Sequence, residues 1–208
     1  MLTEKTLNEF ALQANYAYQE FRVWVYVNNE FVKHQQRWNQ IANPSQLFTT
    51  GNFSREKGCK YKNFWSVVIP SLQYSWFLSL ARLFDPAYHP KDHKKTKPRL
   101  SFEYILILLQ DEIVTKTFQD RINKYQSTLD SIKKMRDNLL AHKDLNTTTL
   151  KISGGIEDLF KELDQIISDI KRSVLHLNNC NNINLEYTDV LSRCGVDEIF
   201  EALLRNEE

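Results

Sequence analysis

Glycine and proline are scarce in this chain, five of each in 208 residues, so little punctuates it and long helices are expected to dominate. Cysteine is scarcer still. Cys59, Cys180 and Cys194 are odd in number, widely spaced and form no CxxC pair, which suits a reducing cytosol better than a disulfide framework, and they read as free thiols. Net charge is nearly absent: 27 basic residues face 26 acidic ones. No global field therefore draws nucleic acid, and any anion site must come from a local patch. The start, "MLTEKTLNEFALQ", lacks a basic segment followed by an apolar one, so export is not expected and the location is read as cytoplasmic. Only "FWSVVIPSLQYSWFLSLARLF", residues 64–84, is long and uncharged enough to raise a membrane span. Pro70, Gln73 and four serines argue against one, and a buried central helix is the better reading.

What is present is helical periodicity, and the fold class is read as all-α, a bundle of long antiparallel helices in a single domain over residues 1–208. Apolar residues recur at i, i+3, i+4 and i+7 through most of the chain. The first helix is predicted from about residue 4 to 40, with Phe21, Trp24, Val25, Asn28, Phe31, Val32, Gln35 and Trp38 on its stripe. "VWVYV" argues weakly for a strand there. Residues 41–60 read as a polar loop. The central helix then ends at "FDP" because Pro86 cannot continue it. Residues 86–100, "PAYHPKDHKKTKPRL", read as an exposed basic loop. Helices resume at "SFEYILILLQDEI", where Ser101 can cap the first turn and Glu103 adds a carboxylate at the positive helix end. A further helix is predicted over about 119–144. After a threonine-rich link, Ser153 or a glycine precedes the clearest helix, whose face is Ile156, Leu159, Phe160, Leu163, Ile166, Ile167, Ile170, Val174 and Leu177. Residues 181–208 form a C-terminal extension with a short helix around 197–205.

One residue breaks the pattern. On the 119–144 helix, Ile122, Tyr125, Leu129, Ile132, Leu139 and Leu140 share a broad apolar face, and Arg136 falls in its middle. A charge there without a partner costs several kcal/mol, so a carboxylate or a bound anion is expected beside it. His142 lies about 9 Å further along the axis and about 120° round the helix. A single helix cannot converge the two; two copies about a twofold axis can. By spacing alone the first reading is structural, an arginine whose stem packs in the core while its head pairs with an acid and a surface histidine at a helix end; brought together, the two would suit RNA cleavage. A histidine moves a proton to or from a ribose hydroxyl or a leaving oxygen, and an arginine fork stabilises the charge growing on the phosphate.

Other side chains compete for a role. Arg82 and Asp85, three apart on the central helix, are first expected to pair with each other; the alternative sends Asp85 to Arg136. Ser71, Ser75, Ser79 and Arg82 form a small polar stripe that suits close helix packing first and the lining of an anion cleft second. The basic loop holds Lys91, His93, Lys94, Lys95, Lys97 and Arg99, which read either as an RNA-backbone track or as a solvated connection, with Lys94, Lys95, Lys97 and Arg99 the candidate RNA-binding residues. His89, Asp92 and His93 lack a further ligand, as do His176 and Cys180, so no metal or other cofactor is expected.

These residues resemble a known family. "RDNLLAHKD" resembles the R-x(4–6)-H signature of the HEPN superfamily, with Asp137 at its polar position, and "LARLFDP" (80–86) and "SFEYIL" resemble the segments that precede it in the AbiU-type abortive-infection branch. The likeness covers roughly residues 60–180. It implies a small helical bundle that dimerises, metal-independent RNase activity at the dimer cleft, Arg136 and His142 as catalytic residues, and Asp137 or Asn138 orienting them. HEPN toxins neutralised by nucleotidylation carry a tyrosine two residues after the histidine, where this chain has Asp144; that mode of control is not expected. Asp144, Arg82 and Asp85 complete the supporting set. The partners implied are RNA, a second copy and an antitoxin protein, with neither DNA nor a membrane. The rival reading is a non-catalytic HEPN module that binds RNA or docks an antitoxin or nucleotidyltransferase.

Overall fold

The computed structural model describes residues 1–41, 62–88, 97–142 and 155–177. Among these there are six helices and no strand: α1 (Glu4–Ile41), α2 (Lys62–Leu83), α3 (Phe102–Leu109), α4 (Glu112–Asn123), α5 (Gln126–His142) and α6 (Ile156–Ser173). The all-α class read from periodicity is the observed one. "VWVYV" runs helical within α1. No helix among the described residues is long and apolar enough to cross a membrane. The loop at 41–60, beyond Ile41 itself, and the terminal helix at 197–205 lie outside the described residues.

Two compact units divide the chain, and α1 and α2 each contribute to both. The first comprises Met1–Gln19 with Ser75–Leu185. Its core follows directly from the stripe on α6, where Ile156, Leu159, Phe160, Leu163, Ile166, Ile167 and Ile170 are all buried. Leu7, Phe10, Ala14, Ala17 and Tyr18 of α1 and Trp76, Phe77, Leu80 and Leu83 of α2 are buried in the same unit. Tyr18 meets Phe160 edge to face, with ring centroids 5.0 Å apart, a preferred aromatic geometry. Acidic Glu157 and Asp158 open α6, and basic Lys171 and Arg172 close it, in line with its dipole. The helix stops at Ser173, short of the predicted Leu177. The carbonyls of Ile170 and Lys171 take up the N–H groups of Val174, Leu175 and Leu177, while His176 turns the chain at φ 54°. His176 thus lies past the end of the helix, and Cys180 lies outside the described residues.

The second unit comprises Glu20–Tyr74 and Glu186–Glu208. Val27 is its buried centre, packed by Val23, Tyr26, Val68, Ile69 and Leu72. Val27 lies off the predicted stripe, whose Trp24, Val25 and Asn28 are half-buried. Pro70 sits inside α2, where it removes one ladder N–H; Ser71 donates its hydroxyl to the Val67 carbonyl at 2.7 Å.

Breaks between α3, α4 and α5 position the site. Gln110 adopts a left-handed conformation that ends α3, and Asp111 then caps α4 by accepting from the N–H groups of Ile113 and Val114. A turn at Lys124–Tyr125 divides the predicted 119–144 helix into α4 and α5. It went unseen because Ile122, Tyr125, Leu129 and Ile132 keep helical spacing straight through it. Arg121 of α4 ties down α6, its Nε donating to Glu162 and its Nη1 to Asp169 at 2.7 Å. At the start of α3, Ser101 caps the helix as predicted: its hydroxyl, fully buried, accepts from Tyr104 N–H at 3.4 Å. Ser101→Ala is expected to cost about 1 kcal/mol, lowering the melting temperature by about 2–4 °C. An unchanged thermal melt would show that this cap contributes nothing.

Candidate functional site

Arg136 stands on α5 one turn beyond Ile132, which is 1% exposed, so its stem leaves the core face as the helical wheel predicts. Its guanidinium meets a carboxylate at once. Nη1 donates to Asp85 Oδ1 at 2.6 Å, and both side chains are only 15% exposed. The alternative placed beside the Arg82–Asp85 pair is therefore the one observed, and the first expectation is corrected. Helix α2 ends at Leu83, so Asp85 lies in the turn past its end, with Phe84 N–H on Ala81 O and Asp85 N–H on Arg82 O. There the i, i+3 geometry of a helix surface no longer applies. Arg82 is left exposed, without an ion pair to Asp85 among the described residues.

The local chain holds that turn. Pro86 blocks continuation of α2, and the Phe84 ring packs against Phe102 at 5.9 Å between centroids. Ala87 is buried; its N–H donates to the Glu103 carboxylate, and its carbonyl accepts from Arg99 N–H at 2.7 Å. The start and finish of the basic loop are therefore stapled together beside Asp85. Glu103 does more than favour the helix dipole, a role that its first-turn position alone could not reveal. Arg99 reaches the same carboxylate, its Nη1 lying 3.7 Å from Asp85 Oδ2 with the side chain about half exposed.

Asp137 supplies the second acid. Its Oδ1 accepts from Arg136 Nε at 3.0 Å and lies 2.9 Å from Nη2, on a side chain 57% exposed. Neighbours on a helix do not normally face each other, so this carboxylate must curl back to reach the fork. Burial opposes the charge on Arg136, but hydrogen bonds to Asp85 and Asp137, with their charges, outweigh it and raise the pKa above the ordinary arginine value. Arg136 is held in its cationic form, the ordinary state of an arginine.

The remaining candidates divide as follows. Asn138 and His142 belong to α5 by their backbone, and their side chains lie outside the described residues. Lys94, Lys95 and Asp144 lie outside them altogether, as do His89, Asp92 and His93. Lys97 is exposed just before Arg99. Ser75 and Ser79 of the serine stripe are half-buried, and Ser71 is exposed. Among the described residues, no group of three or more histidine, cysteine, aspartate or glutamate side chains is arranged to hold a metal ion.

The described residues are thus all-helical, and they place the arginine of the R-x5-H motif between two carboxylates. Residues 3–189 match the family AbiU2, a HEPN-type family of the abortive-infection AbiU branch. The chain belongs to that family. No curated protein and no solved structure matches it.

Proposed function

We propose that this HEPN-type domain is a metal-independent endoribonuclease that acts in the cytoplasm as a toxin or antiphage effector, cutting RNA where two copies of the chain bring Arg136 and His142 into one cleft. The observation that carries the reading is the state of Arg136. It is a largely buried, permanently charged fork whose edges are held by carboxylates, one of them exposed. A phosphate that displaces Asp137 would meet an arginine already oriented by Asp85. His142 is the proton carrier, and the six-residue separation on one helix is why a second copy is needed. An antitoxin protein that masks the cleft would hold such an activity in check.

Proton transfer and charge stabilisation by these two side chains require no bound metal. Cleavage of total RNA by the purified protein is expected to persist in EDTA and to leave 2′,3′-cyclic phosphate and 5′-hydroxyl ends, while DNA, lacking the 2′-hydroxyl, stays intact. End-group analysis of the fragments checks this. Complete inhibition by EDTA, or equal cutting of DNA, rejects the mechanism. No cleavage of any RNA favours the non-catalytic module.

A further inference from the structure

Asp85 divides its carboxylate. One oxygen takes Arg136 at 2.6 Å and the other faces Arg99 at 3.7 Å, so side chains from the loop finish and from α5 converge on one acid just past the end of α2. The two contacts are unequal in a useful way. Arg136 is held short and mostly buried, whereas Arg99 is held loosely with half its side chain in solvent. Two guanidinium groups this close would repel each other without an acid between them. The acid does not fill either fork. A guanidinium has five N–H donors, and Asp85 engages Arg136 through Nη1 alone, with Asp137 on the Nε and Nη2 edge.

We infer that Asp85 is a positioning residue which, by sharing its carboxylate between Arg136 and Arg99, sets the two guanidinium groups as a paired clamp for one phosphate of an RNA backbone. The inference rests on the ribonuclease reading for the identity of that ligand. Asp85 stays behind the clamp, and Asp137, the more exposed acid, is the group the phosphate replaces. Arg99, loosely tethered, swings onto the phosphate; Arg136, firmly tethered, does not move. Arg99 thereby contributes to affinity and Asp85 to the alignment of Arg136.

Asp85→Asn keeps the side chain's shape and removes its charge. It is expected to lower kcat about 10-fold or more, because a small misplacement of an aligned group is costly. Affinity for an uncleavable 2′-O-methyl RNA oligonucleotide, read by fluorescence anisotropy, should hold or tighten in the same variant. Asp85→Glu, which retains the acid, should recover part of the lost kcat and guards against misfolding, as do melts of each variant. Arg99→Ala should raise KM and weaken oligonucleotide binding, with the salt slope of log affinity reduced by about one. A merely structural ion pair predicts instead that kcat and affinity fall together in Asp85→Asn, and that result overturns the inference. Unchanged affinity and salt slope in Arg99→Ala overturn it equally. Should the wild type cut no RNA, the ribonuclease reading fails and the binding arm alone decides: the order Asp85→Asn at least as tight as wild type, and wild type tighter than Arg99→Ala, sustains the clamp, and any other order removes it.

Discussion

His142→Ala is expected to slow RNA cleavage by about 10²-fold or more, the scale of lost general acid–base catalysis, with the chain still folded. The effect is large because His142 is the histidine of the R-x5-H motif and the proton carrier of the proposed mechanism. Arg136→Ala is a poorer probe of chemistry. Among the described residues it would leave Asp85, 15% exposed, with the loosely held Arg99 alone, and an acid deprived of its main partner destabilises the fold on its own account. Initial rates for wild type and His142→Ala on one RNA, with circular dichroism beside them, make the comparison. Equal rates would take the histidine out of the mechanism.

Phe160→Ala should cost about 3–5 kcal/mol in stability, the range for emptying a buried aromatic site. Phe160 is fully buried, meets Tyr18 edge to face and sits on the apolar face of α6. A deletion here removes contacts on several sides, and the surrounding helices can collapse only partly into the gap. For a chain of this size the melting temperature should fall on the order of 10 °C. A fall of one or two degrees would mean that Phe160 is not central to the packed core.

The contrast between α6 and α5 explains what can be read from the chain. On α6, the apolar stripe from Ile156 to Ile170 is uninterrupted, and both helix and buried face follow from period alone. On α5 the same rule exposed Arg136 as misplaced and required an acid beside it, yet could not choose the acid. Asp85 is 51 residues away, and the nearer Arg82 competed for it under a rule valid only inside a helix. Where α2 stops, two residues before Asp85, decided the matter. Gln110 and the Lys124–Tyr125 turn were missed for a related reason: neither contains glycine or proline, and the apolar spacing runs on across the second. Arg99 was read as one cation among several in a basic loop. Its place beside Asp85 depends on the backbone bond to Ala87, which pairs residues 12 apart and leaves no periodic trace.

That staple between Ala87 and Arg99 also separates two kinds of evolutionary freedom. Because the loop's ends are closed by a backbone bond, with Glu103 bracing one of them, a change in its length is expected to leave the residues that grip Arg136 in place. Doubling such a segment costs only about 0.6 kcal/mol in closure entropy. Lineages carrying this domain could therefore exchange the stretch between the staples to suit different targets, and an engineer could insert a tag or a binding peptide there, with the cluster around Asp85 left as inherited.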